Sequence, residues 1–161
     1  MPIDELQEYG LVEMNDDEIE RFLSTQKVGV LGLVGDAGTS PYLLPLSFGY
    51  DGERALYFTY LFGSESRKQT LSEAVDTASF LVFTVDTKYT WESVLVSGSL
   101  TAVPETEWDK LESVLSNTWR PDLIETASVS AEISVYELQI DDQRGVKHQG
   151  LPPSLQRKVD Q

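Results

Sequence analysis

Asp51-Gly52 stands between two apolar runs, Pro41 to Tyr50 (PYLLPLSFGY) and Leu56 to Leu61 (LYFTYL). An Asp-Gly pair readily supplies the positive-φ residues of a tight turn, so the runs read as an antiparallel hairpin. In the first run Tyr42, Leu44, Leu46, Phe48 and Tyr50 share one face, and Leu43, Pro45, Ser47 and Gly49 share the other. That period of two is a strand's. Proline cannot donate to a ladder, so Pro45 puts this strand at a sheet edge or a bulge, or in a barrel with one side free for a ligand.

Four more segments read as strands: Val28 to Val34 (VGVLGLV), Thr77 to Val85 (TASFLVFTV), Trp91 to Val103 and Ala131 to Ile140. The first two are apolar on both faces, which predicts burial on both sides. Gly98 predicts a bulge or bend in the third. Asn15 is placed to cap a helix running to Thr25, with Ile19, Phe22 and Leu23 on one stripe. Helices are also expected from Ser64 to Val75 and from Thr106 to Ser116, the latter with Trp108, Leu111 and Leu115 as a lid on the core. Asp86 to Thr90 reads as a loop. Residues 1–14 read as an arm and residues 143–161 as a polar C-terminal tail, which makes His148 an ordinary loop histidine. The pattern predicts one domain over residues 1–161, mainly β with short α-helices, closed as a six-stranded antiparallel barrel.

The strand from Leu56 leads into LFGSESRKQTL, where Gly63 breaks the run and a helix restarts. Two serines and an Arg-Lys pair stand at that break. Free N–H groups and the positive end of a helix dipole favour an anion at such a place. Two cations on a first helical turn oppose the dipole, and a phosphate would compensate them.

The chain has 161 residues, with 27 acidic side chains against 12 basic ones and a net charge of −15. That charge argues against nucleic acid, whose binding rests on cationic contacts to phosphates. The sequence has no cysteine and one histidine, so thiolate and histidine metal clusters are absent. No apolar run reaches the ~18 residues of a membrane span, and the N-terminus lacks a signal peptide's charged flank and apolar core, so the expected location is the cytoplasm. The acidic excess and only six lysines predict a host with high internal salt, a halophilic archaeon.

Three segments carry a family resemblance. PYLLPLSFGYDG, LYFTYLFGSESRK and WESVLVSGSLTAV, in this order on these elements, resemble the pyridoxamine 5′-phosphate oxidase-like flavoproteins, the FMN-binding split barrels, and in particular their nitroimidazole-resistance branch. The resemblance implies a split β-barrel and a homodimer with FMN between subunits. It implies that Arg67 and Lys68 hold the FMN phosphate, with Ser64 and Ser66 assisting and Phe58 and Thr59 beside it. It further implies that Leu44, Pro45, Leu46 and Ser47 line the isoalloxazine ring, and that Trp91, Ser93 and Val94 approach it from the partner subunit. The second strand lacks the basic residues of the true oxidases, and the C-terminal region offers only Arg144, Lys147 and His148. Oxidation of pyridoxamine phosphate is therefore not expected. The expected activity is electron transfer from a reduced nicotinamide to a small organic acceptor. Within the same fold the alternatives are deazaflavin F420 or haem as cofactor, or a flavin protein without turnover that stores or senses.

An acidic surface of this kind is stable only while salt screens its self-repulsion. Dialysis from molar salt into dilute buffer is expected to abolish the far-UV circular dichroism of the folded chain. A spectrum that survives the change removes the halophile reading.

Overall fold

A computed structural model of the chain describes residues 7, 10–34, 38, 40–61, 76–115 and 133–150. The elements in order are β1 (Leu11–Met14), α1 (Asp16–Thr25), β2 (Val28–Leu33), β3 (Tyr42–Ser47), β4 (Gly49–Tyr50), β5 (Ala55–Leu61), β6 (Thr77–Thr87) and β7 (Thr90–Val103). A 3-10 turn (Glu105–Leu111) then runs into α2 (Glu112–Leu115), and β8 (Ile133–Gln149) follows. The strands form one antiparallel sheet in the order β3-β2-β6-β7-β8-β5-β4, with β1 added on β8.

β3 and β4 are a single run of chain interrupted only at Phe48. β3 pairs with β2 at one end of the sheet, while β4 pairs with β5 at the other. One strand thus serves both ends, and the sheet curls into a split barrel. The Phe48 N–H leaves the ladder and donates to the Lys27 carbonyl at 2.9 Å. Its ring is buried against Phe80, edge-on at 5.2 Å between centroids, and Phe80 meets Phe58 at 4.8 Å. Such aromatic pairs add about 0.5–1.5 kcal/mol each beyond the burial of their area. Leu31, Leu33, Leu56, Val82, Val94, Val96 and Leu138 complete the interior with no exposure.

α1 closes one end of the barrel. Asn15 accepts from the Glu18 N–H at 2.8 Å, and Glu18 reaches back to the Asn15 N–H, a capping box. Ile19, Phe22 and Leu23 point inward, as their spacing requires. Glu18 also pairs with Lys147 of β8, which holds its carboxyl below the usual carboxylate range, helped by the Asn15 N–H. On the other side of β5 a smaller cluster forms from Ala55, Tyr57, Leu115 and Val135, covered by Trp108 and Leu111. There the Tyr57 hydroxyl donates to Glu137 at 3.0 Å, and burial followed by that carboxylate pushes the phenol's pKa up.

Several expectations hold: α1 with its Asn15 cap, the inward face of β3, and the hairpin at Asp51-Gly52. The turn is longer than two residues, because the Asp51 carboxylate collects the N–H groups of Glu53, Arg54 and Ala55 at 2.8, 3.0 and 3.0 Å. Other expectations do not hold. The arm contains β1, whose four residues pair with Met14↔Gly145 to Leu11↔His148 in β8. Residues 143–149 are no tail: they are the second half of β8, between β7 and β1 in the sheet. Asp86 and Thr87 belong to β6, and only Lys88-Tyr89 turns. The helix expected at Thr106 is a 3-10 turn with one α turn after it. The sheet has eight strands rather than six, since β1 was missed and the second strand splits at Phe48. The helix expected from Ser64 to Val75 and the tail beyond Gly150 lie outside the described residues. Among the described residues no helix is long and apolar enough to cross a membrane.

The bulge expected at Gly98 is present, but its extra residue is on the facing strand: Ser97 pairs with Asp142 and Gly98 with Ile140, which leaves Asp141 unpaired. A Cβ on Gly98 would stand 1.7 Å from the Gln139 carbonyl oxygen. Gly98→Ala is therefore expected to destabilise by about 3 kcal/mol, at the upper end of overpacking costs. Urea unfolding in high salt measures it, and an unchanged midpoint would mean the strands do not approach this closely.

Candidate functional site

The two faces of the sheet differ in what covers them. On β6, Ala78, Phe80 and Val82 point into the barrel. Their neighbours Leu81, Phe83 and Val85 point outward, where the described residues do not bury them. A full row of this outer face runs Pro45–Val30–Leu81–Leu95–Arg144 across five strands. The next row has Ser47 beside Val28 on one side, and Phe83 beside Ser93 and Val146 on the other. Val28, Leu43, Phe83, Val85 and Leu95 are large and apolar, yet their exposure runs from 49% at Leu95 to 65% at Leu43. The expectation that β2 and β6 are buried on both sides is thus corrected: the outer face is apolar and open.

A groove of about 550 Å³ lies on this face. Val28, Val30, Pro45 and Phe83 give it apolar walls, and Gln26 and Lys27, from the junction of α1 and β2, give it a polar end. Pro45 sits on β3, at the edge of the sheet, where its missing donor leaves no gap in an interior ladder. A second crevice of about 530 Å³ opens beneath α1, lined by Arg21, Thr84, Glu92 and Lys147 among others. It meets the groove at Thr25 and Gln26.

The residues expected to form a site fall into three groups. Pro45 and Ser47 lie on the outer face, and so do Trp91 and Ser93 by their pairing with Val85 and Phe83. Continued past Gly49↔Tyr57, the β4–β5 register would bring Ser47 opposite Thr59 across the split. Leu44 and Leu46 alternate with them and pack on the core, as do Phe58 and Val94, which are fully buried. What these four can offer a ligand is main chain, not side chain. Ser64, Ser66, Arg67 and Lys68 lie outside the described residues.

His148 is not a loop residue. It sits in β8, paired with Trp91 on one side and Leu11 on the other, and is only 9% exposed. Its Nδ1 meets the Tyr89 carbonyl. A carbonyl can only accept, so Nδ1 carries a proton there. The Trp91 and His148 rings stack at 6.0 Å. The histidine thus ties the β6–β7 turn to β8 and supports the indole. The sequence reading missed Lys27, Val28, Val30 and Phe83 as groove residues. The available signal was the apolar character of both faces of β2 and β6, which read as burial.

The fold matches solved structures of low identity. A FAD-binding protein from Mesorhizobium loti superposes with a TM-score of 0.69 at 20% identity, covering 86% of this chain and 99% of its own. The FAD and heme binding protein from Mycobacterium smegmatis gives 0.69 at 14%, covering 94% and 79%. A candidate 5-nitroimidazole antibiotic resistance protein from Bacteroides thetaiotaomicron gives 0.63 at 16%, covering 85% and 87%. At these identities the likeness is one of fold. No protein of curated function matches the chain in sequence. The model of the family described as pyridoxamine 5′-phosphate oxidase, however, matches residues 15–147. That match spans the barrel from the Asn15 cap to the second half of β8: the chain belongs to the pyridoxamine 5′-phosphate oxidase family.

Proposed function

We propose that this chain is an FMN-binding oxidoreductase that works as a homodimer, with the cofactor between subunits. The observation that carries the reading is the groove beside Pro45, an apolar slot on the outer face of the barrel. Its volume of about 550 Å³ lies within the range of small-molecule sites, roughly 300–1,000 Å³. Its walls suit a flat ring, and its polar end suits a ring's heteroatoms. The FAD-binding proteins of the same fold support a flavin as the occupant.

In this reading Arg67 and Lys68 anchor the phosphate at the break after β5, and Ser64 and Ser66 add hydroxyl or N–H donors. The β3 segment Leu44 to Ser47 offers its main chain along the ring. Val28, Val30, Pro45 and Phe83 exclude water from it. Phe58 and Thr59 hold the approach to the phosphate from β5. Trp91, Ser93 and the main chain at Val94 reach the ring from the second copy. When bound, FMN supplies two-electron chemistry between a reduced nicotinamide and a small organic acceptor.

The outer face suits a second copy. Five large apolar side chains stand exposed there, continuous with the groove. An open patch of this kind marks an interface. A self-complementary face pairs with itself about a twofold axis and buries both grooves at once.

Protein purified in high salt is expected to show the visible flavin bands, and the cofactor it releases to have the mass of FMN. Arg67→Ala with Lys68→Ala is expected to weaken FMN binding by about tenfold or more, since charge-assisted bonds contribute about 1.5–3 kcal/mol each. Colourless protein that gains no FMN on incubation overturns the reading, a released mass of F420 or haem replaces the cofactor, and bound FMN without NAD(P)H turnover removes the enzyme.

Phe83→Lys with Leu95→Lys puts charge into the proposed interface. Light scattering is expected to give the mass of a dimer for the parent and of a monomer for the variant. A variant that stays dimeric places the interface elsewhere.

A further inference from the structure

β3 carries no cation, yet the groove beside it has one. Among the described residues that line the groove, Lys27 is the one that carries a charge. Among the described residues the ion pair joins Lys147 to Glu18, and Lys27 stands exposed at the polar end of the groove. Its main chain is anchored where the barrel closes, because the Lys27 carbonyl accepts the Phe48 N–H at 2.9 Å. A single cation at the end of an apolar slot, in a chain of charge −15, favours a ligand that is flat and carries negative charge on its polar edge.

We propose that Lys27 sets the electron affinity of the ring held in this groove. The proposal rests on the flavin reading above. Two electrons and one proton convert a neutral oxidised flavin ring into an anionic reduced one. A cation beside the ring stabilises the anionic form more than the neutral form, so it raises the reduction potential. Lys27 thereby supplies, from the junction of α1 and β2, the positive charge that β3 lacks.

The test is the midpoint potential of the bound flavin, measured by anaerobic equilibration with a reference dye. The parent is compared with Lys27→Gln, Lys27→Arg and, as a control, Lys110→Gln on the 3-10 turn. Lys27→Gln is expected to cut the preference for the reduced form by about tenfold, a potential about 30 mV more negative for a two-electron couple. Lys27→Arg is expected to keep the parent potential, and Lys110→Gln to leave it in place. An unchanged potential in Lys27→Gln, with flavin bound, overturns the role of Lys27 alone. An equal shift in Lys110→Gln overturns it too, by tracing the effect to overall charge. A parent chain that takes up no flavin overturns the flavin reading, and this inference with it.

Discussion

The segment from Tyr42 to Tyr50 has to satisfy two neighbours at once. Its first half is bonded to β2 and its second half to β5, and those strands lie at opposite ends of the sheet order. Only a curled sheet brings them together. The changeover falls on Phe48, whose N–H finds Lys27 instead of a ladder partner and whose ring fills the interior beside Phe80. Two requirements of burial are met in that one residue: a satisfied donor and a large apolar side chain. β3 becomes an edge strand as a result. Pro45 is tolerated there, and the groove can exist next to it.

Closure also decides which surface stays open. The inner face is filled, α1 covers one end, and the 3-10 turn with α2 covers the outside of β5. The outer face of β2, β6 and β7 receives no cover from the described residues, though it is apolar. The charge of −15 sharpens the contrast between this face and the rest of the surface. Like-charged carboxylates repel one another across a solvent-facing surface, and the apolar face carries none of that repulsion.

Much of the fold was legible because local rules coincided with it. The Asn15 cap, the stripe of Ile19, Phe22 and Leu23, and the alternation in β3 each follow from one element's own period. β1 and the second half of β8 were illegible for a related reason. LVEM is too short to show a period, and DDQRGVKHQ hides its own, because Gly145 fills one inward place beneath Met14 and Ile19 and Lys147, paired with Glu18, fills the next. The groove was legible only in part. Pro45 lies in a motif segment, but Val28 and Phe83 meet beside it through cross-strand register, which no single segment encodes, and Lys27 joins from the junction ahead of β2. Apolar residues on two faces read as burial on both sides, but among the described residues one of the two faces stays exposed.

The unpaired Asp141 divides β8 into two halves of opposite parity. Before it Tyr136, Leu138 and Ile140 face the core; after it Gly145 and Lys147 do. β7 pairs with both halves and keeps one parity throughout. The seventeen-residue strand therefore reads in two frames, joined at a single residue. Deleting Asp141, or adding one residue on either side of it, would turn half of β8 inside out, placing Arg144, Val146 and His148 against the core in one case and Glu137 in the other. The length of this strand, and not only the type of its residues, is therefore fixed by the barrel's register.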